Sequence, residues 1–315
     1  MFNEEIKRRF IEEYTNEKHS KHAVKIILDK YSIIEDYHNK DIYYVPYDIV
    51  INDIFNITRI YSYRTYYDYI YTIQQYKKWC LINNIFPDYT PMDFDVVSAK
   101  TLRENYAAHM KELIFRSFND LHEFIDDVLE IKESKYMTKP EFMKMFVLLL
   151  YSGIPIDDLF KIKIWDIKDA RNEVFISNDD IMIKVEDKEL TELLLKRRHT
   201  GLYEVNRGRR IDEVPLGDLI INYGKDDVEY VHRQTKAEFK RYLSVYNKNN
   251  NTDKAIDLFT LYVCGVIRQI KQDEEINNYK IDLKELNDWF TRNNHGEEVK
   301  SAGKKRIIKT VYTNW

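Results

Sequence analysis

Three short segments of this chain concentrate lysine and arginine side chains, the groups that bind phosphate in proteins. KRRHTGLYEVNRGRR at 196–210 contains six basic residues against the single acid Glu204. HRQTKAEFKR at 232–241 combines four basic residues with a histidine and a glutamine, and GKKRIIK at 303–309 contains four basic residues and no acid. Any one such run is as often a solvated surface as a binding site. In a chain of net charge −4, three of them predict a local phosphate-binding surface.

Motifs for metal or nucleotide chemistry do not accompany these segments. The sequence contains no P-loop, no H-E-x-x-H and no nucleophile elbow. His19 and His22 lie three residues apart on a predicted helix, but no third metal ligand accompanies them. We therefore predict no metal site and no cofactor.

Length and composition indicate a globular protein that works in a reducing compartment. The 315 residues suffice for two domains with cores, and only 8 glycines and 6 prolines favour helices. The longest apolar run, MFVLLLY at 145–151, is far shorter than the ~20 residues that span a bilayer. Cys80 and Cys264 lie in apolar helical segments, so we expect a cytoplasmic protein without a membrane partner.

The first part of the chain predicts several helices, of which RTYYDYIYTIQQYKKWCLINN at 64–84 is the clearest. Five of its residues recur at helical spacing and predict a buried stripe, namely Tyr66, Tyr69, Ile73, Tyr76 and Cys80. Arg64 and Lys78 point away from that stripe.

Helix boundaries are marked by capping signals in the second part. SFND at 117–120 predicts one helix start, and TKPE at 138–141 predicts a capping box with a proline in the first turn. Gly153 predicts the end of that helix, and Pro155 suits the first turn of the next.

The remainder alternates a small β region with helices. VFIS and IMIKV, separated by NDD at 178–180, predict a hairpin, and RRIDEVPL predicts a strand or an extended loop. Helical patterns cover KELTELLLKRR, YVHRQTKAEFKRYLSVY and AIDLFTLYVCGVIRQI, with two more near 283–292 and 302–312. The predicted fold class is mainly α with a small β insert.

The order of these elements resembles the tyrosine recombinase, or phage integrase, family. SGIPIDDLFKIKIWDI at 152–167 resembles its pattern T-G-L-R-I-S-E-L followed by L-x-W-x-D-I. VHRQTKAEFKRY at 231–242 resembles the helix that the family lays in the major groove, and KTVYTNW at 309–315 the segment of its nucleophilic tyrosine. The resemblance implies two domains, a helical SAM-like core-binding domain at 1–111 and a catalytic-like domain at 112–315.

Most groups that this family uses for strand cleavage are missing here. The resemblance implies two arginines on the phosphate, a lysine and histidines beside a tyrosine nucleophile. The first arginine falls on Pro155, the H-x-x-R pair on Ile256 and Phe259, and the histidine of L-G-H on Gly303, while the hairpin turn is acidic. Only Tyr312 remains, and a tyrosine with a pKa near 10 is protonated at neutral pH. We predict no catalytic residue and no enzyme, with Tyr312 as a vestige.

The sequence retains basic and amide side chains in the segments where the resemblance implies contacts to DNA. Arginine and glutamine on the helix at 231–242 can bind guanine and adenine edges. We predict DNA contacts for Arg64, Lys78, Arg207, Arg209, Arg210, His232, Arg233, Gln234, Lys236, Lys240, Lys304, Lys305 and Arg306.

These residues and the resemblance together predict a sequence-specific transcriptional repressor that binds double-stranded operator DNA and maintains a prophage in lysogeny. The whole-chain pattern resembles that of the integrase-fold repressors of SPβ-type prophages. Two alternatives stay open: an architectural protein that bends DNA for a separate integrase, and an active recombinase that uses Tyr312. The family usually continues past the tyrosine with a docking helix, whereas this chain stops at Trp315, so we expect a nucleoid-associated monomer or loose dimer. An antirepressor protein or peptide is a further candidate partner.

Overall fold

The computed structural model describes residues 2–14, 21–57, 63–88, 98–132, 134–170, 173–178, 182–206, 211–250, 256, 258–290 and 302–315. Its chain divides into two compact units, residues 1–113 and residues 114–313. That these units are the core-binding and catalytic-like domains of a recombinase stays a prediction.

Helices build the first unit. In chain order they are α1 (Glu4–Tyr14), α2 (Lys21–His38), α3 (Tyr47–Ile57), α4 (Tyr63–Ile82) and α5 (Ala99–Leu113), with a 3-10 turn at Ile42–Tyr44. All five residues of the predicted α4 stripe are buried, which confirms that prediction. The stripe packs α4 into an unusually tyrosine-rich core, in which the ring of Tyr66 stacks on Phe55 with centroids 4.9 Å apart.

A charged cluster anchors α1 in this unit. The ammonium group of Lys7 is buried against the carboxylate of Glu35, with the carboxylate of Asp41 at 3.6 Å. Glu35 also accepts a hydrogen bond from the amide of Ile42 at 2.9 Å. Burial raises the pKa of Glu35, and the charge of Lys7 opposes this effect. Because buried charges are tolerated only with such partners, the cluster fixes α1 against α2 and the turn that follows.

The second unit combines helices with short strands. Its elements are α6 (Phe118–Val128), β1 (Met137–Thr138), α7 (Lys139–Tyr151), α8 (Ile156–Leu159), β2 (Ile167–Ala170), β3 (Glu173–Ser177), β4 (Met182–Lys184), α9 (Lys188–His199), β5 (Leu202–Asn206), β6 (Ile211–Pro215), α10 (Val228–Asn250), α11 (Leu258–Asn277), α12 (Leu286–Phe290) and α13 (Ala302–Thr313). The prediction of a mainly helical fold with a small β component is confirmed.

Capping boxes begin α6 and α7 where the sequence predicts. The Ser117 hydroxyl accepts from the amide of Asp120 at 3.1 Å, and the Asp120 carboxylate accepts from the amide of Ser117 at 3.2 Å. In the same way, the Glu141 carboxylate accepts from the amide of Thr138 at 2.8 Å. Each box satisfies amides that the first turn of a helix leaves without partners, which is why short local motifs determine both boundaries.

The junction between α7 and α8 also follows its sequence. Gly153 lies just beyond α7 at a φ of +85°, a conformation that side chains disfavour. Pro155 then acts as the N-cap of α8, one position before the predicted first turn, and its carbonyl accepts from the amide of Leu159 at 2.9 Å. The proline is therefore structurally compatible with this junction.

Two small sheets form in this unit, where the sequence indicated one hairpin and one further strand. The first sheet has the antiparallel order β2–β3–β4, in which Ile176 pairs with both Ile167 and Ile183. It contains the predicted hairpin, whose turn residues 179–181 lie outside the described part of the chain. The second sheet has the order β1–β5–β6, and β1 pairs with β5 in parallel. The predicted strand β6 is confirmed, whereas β1, β2 and β5 were not predicted.

Helices α7 and α11 form the core of the second unit. Every residue of α7 from Glu141 to Tyr151 is buried, including the predicted run MFVLLLY. A Cβ atom at Gly265 of α11 would lie 1.9 Å from the carbonyl oxygen of Tyr151, so only glycine fits at this crossing. Among the described helices, none is long and apolar enough to cross a membrane.

Candidate nucleic-acid interface

One side of the 23-residue helix α10 presents a basic, solvent-exposed face. Because an α-helix advances 100° per residue, positions 233, 237, 240, 244 and 248 share one side. These residues are Arg233, Ala237, Lys240, Ser244 and Lys248, and all five are exposed. Cationic side chains thus alternate with small ones, which allow the helix backbone to approach a neighbouring surface closely. We call these five residues the α10 face.

The single acid within this stretch of α10 is neutralised. Glu238 is the only acidic residue between positions 233 and 250, and it is 7% exposed. Its carboxylate is 3.1 Å from Nζ of Lys139 and 2.7 Å from Nη2 of Arg241. Burial alone would raise the pKa of Glu238, but the hydrogen bonds and charges of Arg241 and Lys139 lower it. Between positions 233 and 250 the α10 face consequently exposes positive charge without an acid, whereas the exposed Glu229 lies one turn before Arg233 on the same side.

Gln234 and Arg241 border the α10 face on the side of Glu238. The Gln234 amide nitrogen donates to Glu238 Oε1 at 3.2 Å, and Arg241 Nε donates to Glu238 Oε2 at 2.8 Å. The Arg241 side chain is 55% exposed, and its guanidinium lies 4.4 Å from the ring centroid of Tyr242. Both side chains are therefore held at the border of the exposed face.

His232 lies on a different side of α10 from this face. Its ring packs against Phe160 with centroids 4.7 Å apart, and its Nε2 is buried without a hydrogen-bond partner in the described structure. Burial and the charge of Lys236 lower the pKa of His232. Of the residues predicted on this helix, Arg233 and Lys240 are exposed, and Gln234 and Lys236 are half-buried. His232 thus lies off the α10 face, one helical turn before Lys236.

The segment 196–210 supplies fewer free charges than its sequence suggests. Lys196 Nζ binds Glu141 Oε1 at 2.6 Å and the Ser134 carbonyl at 2.7 Å. Arg197 is 2% exposed, so counting it among the charges available to grip DNA is wrong. Arg198 is exposed on the same helix. The predicted contacts Arg207, Arg209 and Arg210 lie outside the described residues.

Arg197 instead holds a loop of the second unit together. Its guanidinium donates to the carbonyls of Thr200 at 3.2 Å, Leu219 at 2.9 Å and Ile220 at 3.2 Å, and also to that of Gly217. Burial lowers its pKa to about 10. The reason for its burial is the set of backbone acceptors that the loop leaves unpaired, which no sequence pattern reveals.

The third basic segment lies on α13. Lys305, Arg306 and Lys309 are exposed there, as the sequence predicts for a phosphate-binding patch. Lys304 is half-buried, with Nζ 4.9 Å from the ring centroid of Phe259. Phe259, on which the resemblance places an arginine, thus presents an aromatic face to a cation.

Arg64 and Lys78, the predicted contacts in the first unit, are both exposed on α4. The Arg64 side chain is 3.0 Å from the carboxylate of Asp68, one helical turn away. Exposed pairs of this kind are weak, so Arg64 remains free to exchange its partner for a phosphate.

Tyr312, which the resemblance places at the nucleophile position, is built into the core of the second unit. Tyr312 is 5% exposed, and its hydroxyl contacts the Glu274 carboxylate and lies 2.9 Å from the Ile281 carbonyl. Lys271 Nζ lies 3.7 Å from its ring centroid. Burial and the Glu274 carboxylate raise the pKa of Tyr312 far above its ordinary value. Ile256, on which the resemblance places a histidine, is 3% exposed.

Glu274, which the sequence reading did not single out, organises this region. Its carboxylate also accepts from the amide of Ile281 at 2.7 Å and pairs with Lys271 at 2.9 Å. Burial alone would raise the pKa of Glu274, but the hydrogen bonds from Tyr312, Ile281 and Lys271 lower it. An acid three residues after a lysine on a helix is too common a pattern to have marked it.

The sequence matches no protein-family model and no curated protein. Within the described residues, no group of three or more histidine, cysteine or acidic side chains is arranged to hold a metal ion. Evidence on function therefore comes from the arrangement of charged side chains on α10 and α13.

Proposed function

We propose that this protein binds double-stranded DNA in a sequence-specific way and acts as a transcriptional repressor that maintains a prophage in lysogeny. The observation that carries the proposal is the α10 face, which exposes Arg233, Lys240 and Lys248 with only small residues between them. Its partner is operator DNA, and its place of action is the nucleoid in the cytoplasm. We further propose that it lacks strand-cleavage activity.

The dimensions of α10 support insertion into a major groove. A helix of 23 residues is about 35 Å long, and the major groove is about 12 Å wide, so one helix fits with contacts to both flanking phosphate strands. Arg233 lies near the N-terminal end of α10 and Lys248 near its C-terminal end. An arginine can bind a guanine edge while lysines farther along bind phosphates.

Burial of Tyr312 supports the absence of cleavage. A nucleophile must reach the scissile phosphate, whereas this hydroxyl is enclosed by Glu274 and the Ile281 carbonyl. A raised pKa moreover keeps the phenol protonated at neutral pH. The sequence-level resemblance to integrase-fold prophage repressors supports regulation of transcription as the role of such a protein.

The direct test is an electrophoretic shift of the full chain on tiled promoter fragments from its source genome, at ~50 and ~200 mM salt. Sharp shifts on a few fragments that survive the higher salt are expected, because base contacts do not depend on counterion release. The same shift assay compares Arg233→Ala, a change on the α10 face, with Lys188→Ala, a change at an exposed lysine outside the three basic segments. Lys188→Ala is the matched control.

Other outcomes would contradict the proposal in different ways. Equal shifts of all fragments that disappear at the higher salt would leave only phosphate binding, and strong bending without an effect on transcription would then favour an architectural protein. No shift at all would mean that the basic segments are solvated faces. A covalent adduct at Tyr312 on nicked DNA would establish a recombinase.

A further inference from the structure

Glu238 connects three side chains at the border of the α10 face. Its Oε1 accepts from Nε2 of Gln234 at 3.2 Å and from Nζ of Lys139 at 3.1 Å. Its Oε2 accepts from Nε of Arg241 at 2.8 Å. Gln234 and Arg241 belong to α10, one turn before and one turn after Glu238, whereas Lys139 is the first residue of α7. The carboxylate is 9% exposed and is thus shielded from water.

This arrangement determines which way the Gln234 amide points. An ionised carboxylate only accepts hydrogen bonds, so the amide nitrogen, not the amide oxygen, must face Glu238. Rotating the amide by 180° would place its oxygen against the carboxylate oxygen, and the two would repel. The hydrogen bonds and charges of Arg241 and Lys139, opposing the effect of burial, lower the pKa of Glu238 and keep it ionised at neutral pH.

The fixed amide leaves one donor and one acceptor of Gln234 available. Its oxygen is free of Glu238, and its nitrogen retains a second hydrogen after donating the first. In the major groove, adenine offers an acceptor at N7 beside a donor at N6, which matches this pair. Guanine offers two acceptors, at N7 and O6, so its O6 would face the amide oxygen unfavourably.

We infer that Glu238 is a positioning residue that orients the Gln234 amide to bind an adenine edge in the major groove, an inference that rests on the DNA-binding function proposed above. Gln234 is then the adenine-specific contact of α10, and Glu238 acts through it without contacting DNA. Arg241, held by the same carboxylate and stacked on Tyr242, presents its remaining donors to the adjacent phosphate strand.

The experiment selects binding sites for the full chain from random double-stranded DNA, then measures Kd on the best site with each adenine replaced in turn. Wild type, Gln234→Ala, Glu238→Gln and Lys139→Met are compared, and thermal unfolding confirms that each variant is folded. Lys139→Met is the matched control, because it removes a partner of Glu238 while leaving the bond to Gln234. If Glu238→Gln does not fold, Glu238→Asp shortens the side chain by one methylene and serves in its place.

The wild type is expected to discriminate against replacement of one adenine by about 5- to 150-fold, the range for a bidentate contact. Gln234→Ala and Glu238→Gln should both lose most of this discrimination at the same base pair, and Lys139→Met should keep it. The inference is overturned if Glu238→Gln retains the adenine preference, or if Lys139→Met loses it equally, since that would indicate a merely structural carboxylate. A selected motif that Gln234→Ala leaves unchanged would overturn the adenine contact while the DNA-binding function stands. Failure of the wild type to select any motif would instead overturn the proposed function, and the positioning role with it.

Discussion

The hydroxyl of Tyr312 and the carboxylate of Glu274 share a hydrogen bond inside the second unit. Tyr312 lies on α13, and Glu274 lies near the end of α11, so the bond ties the last helix to the core. The amide of Ile281 donates to the same carboxylate at 2.7 Å, which also closes the turn after α11. A position that would carry the nucleophile of a recombinase thus serves as a link between two helices.

Removing this hydroxyl should lower stability and leave DNA binding intact. Tyr312→Phe deletes one buried hydrogen bond to a charged acceptor, so we expect a loss of about 1–2 kcal/mol in urea unfolding. Tyr279→Phe, at a 46% exposed tyrosine, is the control and should be neutral. A catalytic tyrosine would behave in the opposite way, with unchanged stability and lost activity on nicked DNA.

The crossing of α7 and α11 predicts intolerance of any side chain at Gly265. Gly265→Ala would place a Cβ atom 1.9 Å from the Tyr151 carbonyl oxygen and force the two helices apart. Overpacking of a core costs about 1–3 kcal/mol, and more where backbone must move, so we expect a loss of at least that size. The chain offers a matched control in Gly201→Ala, because a Cβ atom there meets nothing within 4 Å. Equal stability of the two variants by thermal unfolding would contradict the close approach of the two helices at Gly265.

Two neighbouring arginines on α9 should contribute very differently to stability. Arg197→Met leaves the carbonyls of Gly217, Leu219 and Ile220 without a donor in the interior, which should cost about 2–4 kcal/mol. Arg198→Met alters an exposed residue and should change stability by less than about 0.5 kcal/mol. Chemical unfolding of both variants distinguishes a structural arginine from a surface one. Similar free energies of unfolding for both variants would contradict the role of Arg197 as the donor to these carbonyls.

Acid should destabilise the first unit through His109. Its ring stacks on Phe55 at 3.8 Å, and burial lowers its pKa to about 4, below the ~6.5 of an unfolded chain. The unfolded state therefore binds the proton first, and this contribution to stability is lost as pH falls from about 6.5 to 4. Because the ring is partly exposed, we expect an effect of about 1–2 kcal/mol.

His109→Phe keeps the stacked ring without the titrating group and should flatten the pH dependence of unfolding in that window. His22→Ala, at an exposed histidine, serves as the control and should leave the curve unchanged. If the free energy of unfolding of His109→Phe still fell between pH 6.5 and 4 as in the wild type, the effect would belong to another group.

Local signals in the sequence predicted much of this fold. The capping boxes at Ser117 and Thr138, the glycine after α7 and the stripe of α4 all depend on residues within a few positions of each other. The parallel pairing of β1 with β5 could not be predicted in this way, because Met137 lies opposite Tyr203, far along the chain. Two-residue strands such as β1 also have no periodicity to detect.

The candidate site was predictable in position but not in detail. Clustered charge indicated α10 and α13, whereas charge alone could not separate Arg197, which binds backbone carbonyls, from Arg198, which is exposed. Helical geometry could have placed His232 about 100° around α10 from Arg233, and could have included Lys248, had it been applied to the whole length of the helix. The partners of Glu238 include Lys139 of another helix, a contact that only the folded chain creates.

Two basic residues of the second unit should affect DNA binding in different ways. Arg233→Ala, on the α10 face, should cost about 1–3 kcal/mol at particular operator bases and relax specificity there. Lys305→Ala, on the exposed side of α13, should weaken binding to all sequences alike and reduce the slope of log K against log salt by about 1. Titrations of operator and random DNA at several salt concentrations separate the two behaviours. Unchanged operator affinity for Arg233→Ala would mean that Arg233 does not contact a base edge in the operator.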